Sequence, residues 1–423
     1  MNLFKTKQPL YLIFLLILAG EAVFILPFVL ARIFRPTYLE VFNINNLELG
    51  TCFSIYGIVA LFSYVFGGPL ADKLHPRYLM SVALILTALG GFYLSTYPDY
   101  NHLKYLFGYW GFTTIFLFWA AMIKATRIWG GSEKQGMAFG YLDGGRGLVA
   151  AGFGSLGVLI FSLFIEVDIE KASLAERKEA FRYVILISSI IISVIGILIF
   201  FFLKRLQPDT SEEKDTTQQT IDNFKKVLKF RSVWLLMFII LCAYVGYKMT
   251  DVFSLYAKDV MLYDDIKSAK VGTSLLYLRP IIGIIIGLLA DRTKASLWII
   301  IGFLTTIIAS LIFASGIINN NTTLLFIITI GFMAIGVYSV RVLYFATIEE
   351  AGIPLALTGT TVGVISIIGY TPDIFAGPMI GVLLDNSPGE LGHQHVFMAL
   401  IVFSIIGLMA SILFYYNSKK RIL

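Results

Sequence analysis

Long apolar runs separated by short polar clusters recur twelve times along the chain, at about 10–34, 49–70, 78–97, 104–127, 138–164, 180–203, 232–257, 269–290, 297–317, 323–347, 357–384 and 394–416. Each is close to the roughly 20 residues that a helix needs to cross a bilayer. The runs are too long and too uniformly apolar for barrel strands, whose two faces alternate, so they predict helices. The first run lacks a small-residue cleavage site and is too long for a signal peptide, so it reads as a retained helix. One long polar connector interrupts the series near 204–230, where Gln207-Pro208-Asp209-Thr210-Ser211-Glu212-Glu213-Lys214 has no apolar periodicity. The pattern predicts an all-α membrane protein with a six-helix bundle over 1–203, a linker over 204–231 and a second six-helix bundle over 232–423.

Composition excludes an ordinary soluble domain: 57% of residues are hydrophobic and 14% charged, against about 45–50% and about 25% in soluble proteins. The positive charges follow the spans. Lys5, Lys7, Lys73, Arg77, Lys134, the cluster Lys204, Arg205, Lys225, Lys226, Lys229 and Arg231, then Arg292, Lys294, Lys419, Lys420 and Arg421 fall on one side of a twelve-span path. The positive-inside rule makes that side, with both termini and the linker, cytoplasmic. The opposite loops are acidic or mixed, as at 166–179 and Asp264-Asp265. Topology thereby accounts for the formal charge of +6, and no nucleic-acid partner is expected. Cys52 and Cys242 lie inside spans and suggest neither a disulfide nor a metal framework. His393-Gln394-His395 is expected in an outer loop, and two histidines make a poor metal site. With no cofactor motif and no catalytic constellation, an enzyme is not expected. The lack of a long outer region favours a bacterial plasma (inner) membrane.

The stretch Gly68-Pro69-Leu70-Ala71-Asp72-Lys73 returns as Gly287-Leu288-Leu289-Ala290-Asp291-Arg292, and Gly140 and Gly144 return as Gly359 and Gly363. All fit one offset of 219 positions (291 − 72, 359 − 140, 363 − 144). Internal repetition in so hydrophobic a chain is how many membrane carriers are built. The first copy is similar to the Gly-x-Leu-Ala-Asp-Arg loop between helices 2 and 3 of the major facilitator superfamily, and the second to its weaker echo between helices 8 and 9. The resemblance covers essentially the whole chain. It implies two pseudo-symmetric six-helix bundles, the major facilitator fold, and transport by alternating access around a central cavity.

Within that superfamily the chain resembles the organophosphate:phosphate antiporter branch, which includes glycerol-3-phosphate transporters. The likeness rests on His75-Pro76-Arg77, Thr126-Arg127-Ile128-Trp129, Glu133-Lys134-Gln135-Gly136 and Asp251-Val252-Phe253-Ser254-Leu255-Tyr256. The branch grips phosphate with one arginine on helix 1 and one on helix 7. Arg32 is roughly in the first place, but the second offers Gly246, with Lys248 two residues on. The resemblance also implies gating by the repeated loops, through Asp72, Lys73, Arg77, Arg127, Asp291 and Arg292. Asp72 and Asp291 sit in tight connections just before a helix, where a carboxylate caps free N–H groups and meets positive charge.

Ionisable residues near a bilayer centre cost at least about 2.5–3.5 kcal/mol each, so each calls for a cavity or a partner. Glu21, Lys248, Asp251, Arg279 and Asp373 lie within spans, and Lys124, Arg127, Asp143, Arg146 and Arg341 lie nearer the cytoplasmic ends. Asp143 with Arg146, and Lys248 with Asp251, are three apart and share a helix face, so each pair could neutralise itself or serve a ligand. Lys124 and Arg127 share a face with like charge and want an anion. Arg279 precedes Pro280, which loosens the helix, and is the first candidate for a substrate contact. Arg32 and Arg35 either grip an anion or snorkel to the interface. Glu21 and Asp373 have the depth of proton-coupling carboxylates, with structural pairing as the alternative, to Arg279 or Lys248 for Asp373. Asp373 could also cap the helix that resumes at Pro372. Glycines at spacing four in the fifth and eleventh runs predict close, sliding helix contacts between the halves.

Together these features predict a monomeric secondary transporter for a small, anionic organic solute, working by antiport or proton symport, with the lipid bilayer as its surroundings. Its substrate contacts are expected at Arg279, Lys248, Arg32, Lys124, Arg146 and Arg341, and its coupling groups at Glu21, Asp373, Asp143 and Asp251. Proton-driven efflux of amphipathic compounds is the alternative within transport. A non-transporting sensor or scaffold is the alternative outside it.

Overall fold

The computed structural model describes residues 9–130, 135–165, 172–205, 224–344, 346–353 and 357–419. Twelve helices in it are long and apolar enough to cross a membrane. They are α1 (Leu10–Ile33), α2 (Asn46–Lys73), α3 (Pro76–Leu94), α4 (Tyr100–Gly130), α5 (Gln135–Leu163), α6 (Leu174–Phe202), α7 (Arg231–Asp259), α8 (Asp265–Arg292), α9 (Ala295–Ala314), α10 (Thr323–Leu343), α11 (Thr361–Asp385) and α12 (Glu390–Lys419). Every apolar run of the sequence corresponds to one of them.

Local chemistry sets several helix starts. Asn45 and Ser173 open α2 and α6 with capping boxes, each side chain accepting from the N–H three residues on while Glu48 or Glu176 reaches back. Asp99 caps α4, and the backbone N–H of His102, followed by its ring, holds the Asp99 carboxyl below the usual carboxylate range. The membrane helices are not uniform. Ile25–Val29 in α1 and Phe112–Trp119 in α4 take the wider π form, in the first case around Pro27, which has no N–H to give to the preceding turn. In α11 the helix stops at Gly369 and resumes at Pro372. Asp373 lies in the first turn of the resumed segment, where the N-cap residue Thr371 makes no side-chain cap, and its carboxylate bonds instead to Tyr244 and Lys248.

By contacts the chain divides into two units. The first holds Met1–Glu212, Val252–Lys258 and Tyr263–Pro280, and the second Glu213–Asp251, Asp259–Leu262 and Ile281–Leu423. In the first, α1 packs on α5 and α6, α3 on α6, and α2 on α4. In the second, α7 packs on α11 and α12, and α9 on α12. Three of these packings recur with a shift of six helices: α1 on α5, α1 on α6 and α3 on α6 return as α7 on α11, α7 on α12 and α9 on α12, in line with the 219-residue repeat.

Glycine permits a close crossing of α9 and α10 in the second unit. A Cβ on Gly336 would stand 2.7 Å from the backbone nitrogen of Thr306 and 2.8 Å from the carbonyl oxygen of Gly302. Both are backbone atoms of α9 and can move only if the helix does. Gly336→Ala is therefore expected to destabilise the protein by about 1–3 kcal/mol through overpacking. Gly331→Ala on the same helix, where nothing lies within 4 Å, is the control and should not lower stability. Thermal unfolding in detergent checks both. In the first unit, Gly147 faces Pro280 and Arg279, and Gly154 faces Ile33 and Thr273, so the α5 glycines do serve close approach.

The His393-Gln394-His395 segment is not a loop but the first turns of α12. His393 is fully buried, with its Nε2 3.1 Å from a carboxylate oxygen of Asp259. The polar sequence concealed a helix start because Glu390 and Gln394, one turn apart, bond to each other and supply the exposed face.

Candidate functional site

The buried charges of the first unit lie on α1, α5 and α8 and, at Arg35, in the short helix Arg35–Phe42 that follows α1. Arg146 Nε donates to Glu21 Oε2 at 3.0 Å, with side chains only 12% and 5% exposed. The Arg146 guanidinium also lies 5.4 Å from the ring centre of Phe24 and 5.7 Å from that of Trp119. One turn earlier on α5, Asp143 accepts from Arg279 Nη2 at 3.0 Å, and Arg279 is buried while Asp143 is half exposed. Asp143 and Arg146 thus each reach a different helix. Arg32 and Arg35 are both buried. Arg35 binds the side-chain oxygen of Asn46 through Nε and Nη2, and the backbone carbonyl of Arg32 accepts from Ser254. Lys124 donates to the carbonyl of Ala71 at 2.7 Å, at the C-terminal end of α2, where a cation complements the helix dipole.

Four charges that the sequence reading did not single out form a network in the same unit. Arg177 at the start of α6 reaches Glu40 and Asp265 at 2.6 and 3.3 Å, and Lys258 at the end of α7 reaches the same two acids at 3.7 and 2.8 Å. Only spatial proximity identifies them, since Arg177, Lys258 and Asp265 stand at the edges of spans and Glu40 in the short helix Arg35–Phe42 between α1 and α2, where charge is ordinary.

In the second unit the polar cluster is built from α7, α10 and α11. Lys248 Nζ lies 2.6 Å from Asp373 Oδ1. The Tyr244 hydroxyl donates to the same carboxylate, at 3.0 and 3.2 Å from its two oxygens. Arg341 lays its guanidinium 3.6 Å from the ring centre of Tyr247 and 5.6 Å from that of Tyr244. Tyr370 meets Tyr244 edge-on at 5.0 Å, and its hydroxyl lies 3.5 Å from that of Tyr344. The 3.6-residue period explains part of this set: Tyr244, Tyr247 and Lys248 recur at spacings of three and four and share one face of α7. The break before Pro372 brings Asp373 and Tyr370 together around it. Sequence reasoning missed Tyr344 and gave Tyr370 no role. Asp251 is buried in the 3-10 turn Thr250–Val252.

Of the candidate gate residues, Arg77, Arg127 and Arg292 have described side chains. Arg77 bonds to the Tyr78 hydroxyl, with its guanidinium over the rings of Tyr78 and Phe200. Arg127 and Arg292 are exposed. The side chains of Asp72, Lys73 and Asp291 lie outside the described residues, as does Lys134. Among the described residues no group of three metal-binding side chains occurs.

Comparison with known proteins places this geometry in a family. Residues 10–376 match the Major Facilitator Superfamily. The inner membrane protein YihN of Escherichia coli (strain K12) is 28% identical over 424 residues, covering 98% of this chain and 97% of its own length. The inner membrane protein YqcE of the same organism is 25% identical over 376 residues, covering 87% and 86%. Among solved structures, a bacterial homologue of the human lysosomal transporter Spinster, in an inward-facing and unoccupied conformation, superposes with a TM-score of 0.75 at 15% identity, covering 97% of each chain. The nucleoside transporter NupG, as a point mutant, superposes with a TM-score of 0.73 at 14% identity, covering 96% of this chain and 99% of that one. These two share the fold. The chain therefore belongs to the Major Facilitator Superfamily and is a multi-pass membrane protein, a secondary transporter of small molecules and not an enzyme.

Proposed function

We propose that this transporter carries a small organic anion by alternating access, coupled either to protons or to a counter-anion. Residues 1–203 and 232–423 act as its two bundles, and both termini face the cytoplasm of a bacterial inner membrane. The observation that carries the reading is the Lys248, Asp373 and Tyr244 cluster with Arg341 beside it. An ammonium and a guanidinium on a tyrosine-lined face suit carboxylate or phosphate oxygens, lysine as a point charge and arginine as a fork of donors. Asp373 stands on Lys248 where an incoming anion would stand. Loading then requires the anion to displace that carboxylate or a proton to neutralise it, and the second route links one proton to one anion. Arg279, Arg146, Arg32 and Lys124 are the further cations in this reading, with Asp143 and Asp251 as accompanying acids. Glu21 on Arg146 is the second coupling candidate. The likeness to organophosphate antiporters supports phosphate esters as the first solutes to try.

Counterflow in proteoliposomes, run with phosphate esters and carboxylates with and without a pH gradient, tests this. The expected result is saturable exchange of at least one anion. Asp373→Asn should keep that exchange while lowering gradient-driven accumulation by roughly tenfold or more. An exchange carried only by amphipathic cations would refute the anion reading, and undiminished accumulation in Asp373→Asn would remove Asp373 from coupling.

A further inference from the structure

We propose that residues 224–234 form a binding site for anionic phospholipid, with the phosphate held among Lys225, Lys226, Lys229 and Arg231 and an acyl chain lying along Trp234 and Phe238. The segment stands where the polar linker meets α7. Residues 224–228 form a short helix whose Val227 is fully buried, so the helix is seated on the protein. Its exit is wound by bonds from the N–H groups of Lys229, Phe230 and Val233 to the carbonyls of Lys226, Val227 and Phe230, at 3.1 Å each. The Trp234 indole N–H donates to the carbonyl of Leu228 at 3.0 Å and ties the short helix to the first turn of α7. The corner is therefore preformed.

What this corner presents is two-sided. Lys225, Lys226, Lys229 and Arg231 are all exposed, and among the described residues none of the four is in an ion pair. No acid occurs between Phe224 and Thr250 to offset them. Directly below, Trp234 and Phe238 are 46% and 50% exposed and four residues apart, so they line one apolar face of a membrane-spanning helix. A cluster of four cations at the mouth of a span attracts anionic headgroups, and tryptophan at that depth is an interfacial anchor. A soluble phosphate would use the cations and leave the aromatic stripe idle. A phospholipid uses both, and that continuity selects the lipid.

The test uses the purified full chain in detergent at low ionic strength, titrated with dioleoylphosphatidylglycerol or dioleoylphosphatidylcholine and read by native mass spectrometry. Phosphatidylglycerol should bind at least tenfold more tightly. The triple variant Lys225→Gln, Lys226→Gln and Lys229→Gln should lose at least tenfold of that affinity, since each charge near the surface contributes on the order of fivefold, with phosphatidylcholine binding unchanged. A second measurement needs no triple variant. Phosphatidylglycerol brominated on its acyl chain should quench tryptophan emission more than brominated phosphatidylcholine, and Trp234→Phe should remove most of the difference. Equal binding of the two lipids, or a preference surviving the triple variant, overturns the proposal. Release of phosphatidylglycerol by millimolar glycerol phosphate also overturns it, by marking a site for soluble phosphates.

Discussion

Lys248→Met is expected to destabilise the protein by about 3–5 kcal/mol, the cost of breaking a buried ion pair from one side. The geometry explains why the cost falls on the partner. Asp373 is 13% exposed, and its recorded partners are Lys248 and the Tyr244 hydroxyl. Without the ammonium, one hydroxyl is left to stabilise a carboxylate held away from water, and a single hydrogen bond to a charged group contributes only about 1.5–3 kcal/mol. Removing both charges is different. Lys248→Met combined with Asp373→Leu eliminates the desolvated ions together, and such replacements are often neutral or stabilising. The double variant should therefore return to within about 1–2 kcal/mol of the parent while transport stays abolished. Thermal unfolding in detergent reads the first effect and proteoliposome exchange the second. Should Lys248→Met prove as stable as the parent, the pair does not hold Asp373, and the displacement step proposed for loading loses its basis.

How the twelve helices appear in the sequence and how their charges pair are separate matters. A run of apolar residues is a local property, and the spans expected near 78–97 and 297–317 agree with α3 and α9 to within a few residues. The repeat at Asp72 and Asp291 is equally local, and the matching helix contacts of the two units follow from it. Pairing is not local. The i, i+3 spacing of Asp143 with Arg146 and of Lys248 with Asp251 left open whether each pair closes on itself. In the structure Arg146 reaches Glu21, Asp143 reaches Arg279 and Lys248 reaches Asp373, separations of more than 100 positions that no helical period encodes. No acid stands near Arg279 in sequence, and its partner Asp143 comes from α5. Nothing local distinguishes Tyr244 from a lipid-facing aromatic, and only the fold sets Asp373 and Tyr370 beside it. His393 was hidden for the opposite reason, since a histidine among polar residues resembles a loop until Asp259 is seen against it.

The Glu21 and Arg146 pair is expected to respond unequally to removal of its two members. Arg146→Met should cost about 3–5 kcal/mol, because it strands a carboxylate that is 5% exposed and has Arg146 as its recorded partner. Glu21→Leu should cost less, because the guanidinium keeps the faces of Phe24 and Trp119, each contact contributing about 0.5–2 kcal/mol in a desolvated setting. Glu21→Gln should cost least, since its amide oxygen still accepts from Arg146 Nε. The order Arg146→Met, then Glu21→Leu, then Glu21→Gln is the quantity to measure by thermal unfolding, and equal losses in the first two would mean that the rings do not hold the arginine. The same series separates fold from coupling. Glu21→Gln keeps the shape and hydrogen bond of the pair but cannot exchange a proton, so a variant that folds, exchanges anions and no longer responds to a pH gradient would move the proton site from Asp373 to α1. Retained gradient response in Glu21→Gln, together with its loss in Asp373→Asn, would leave Glu21 as the electrostatic anchor of Arg146.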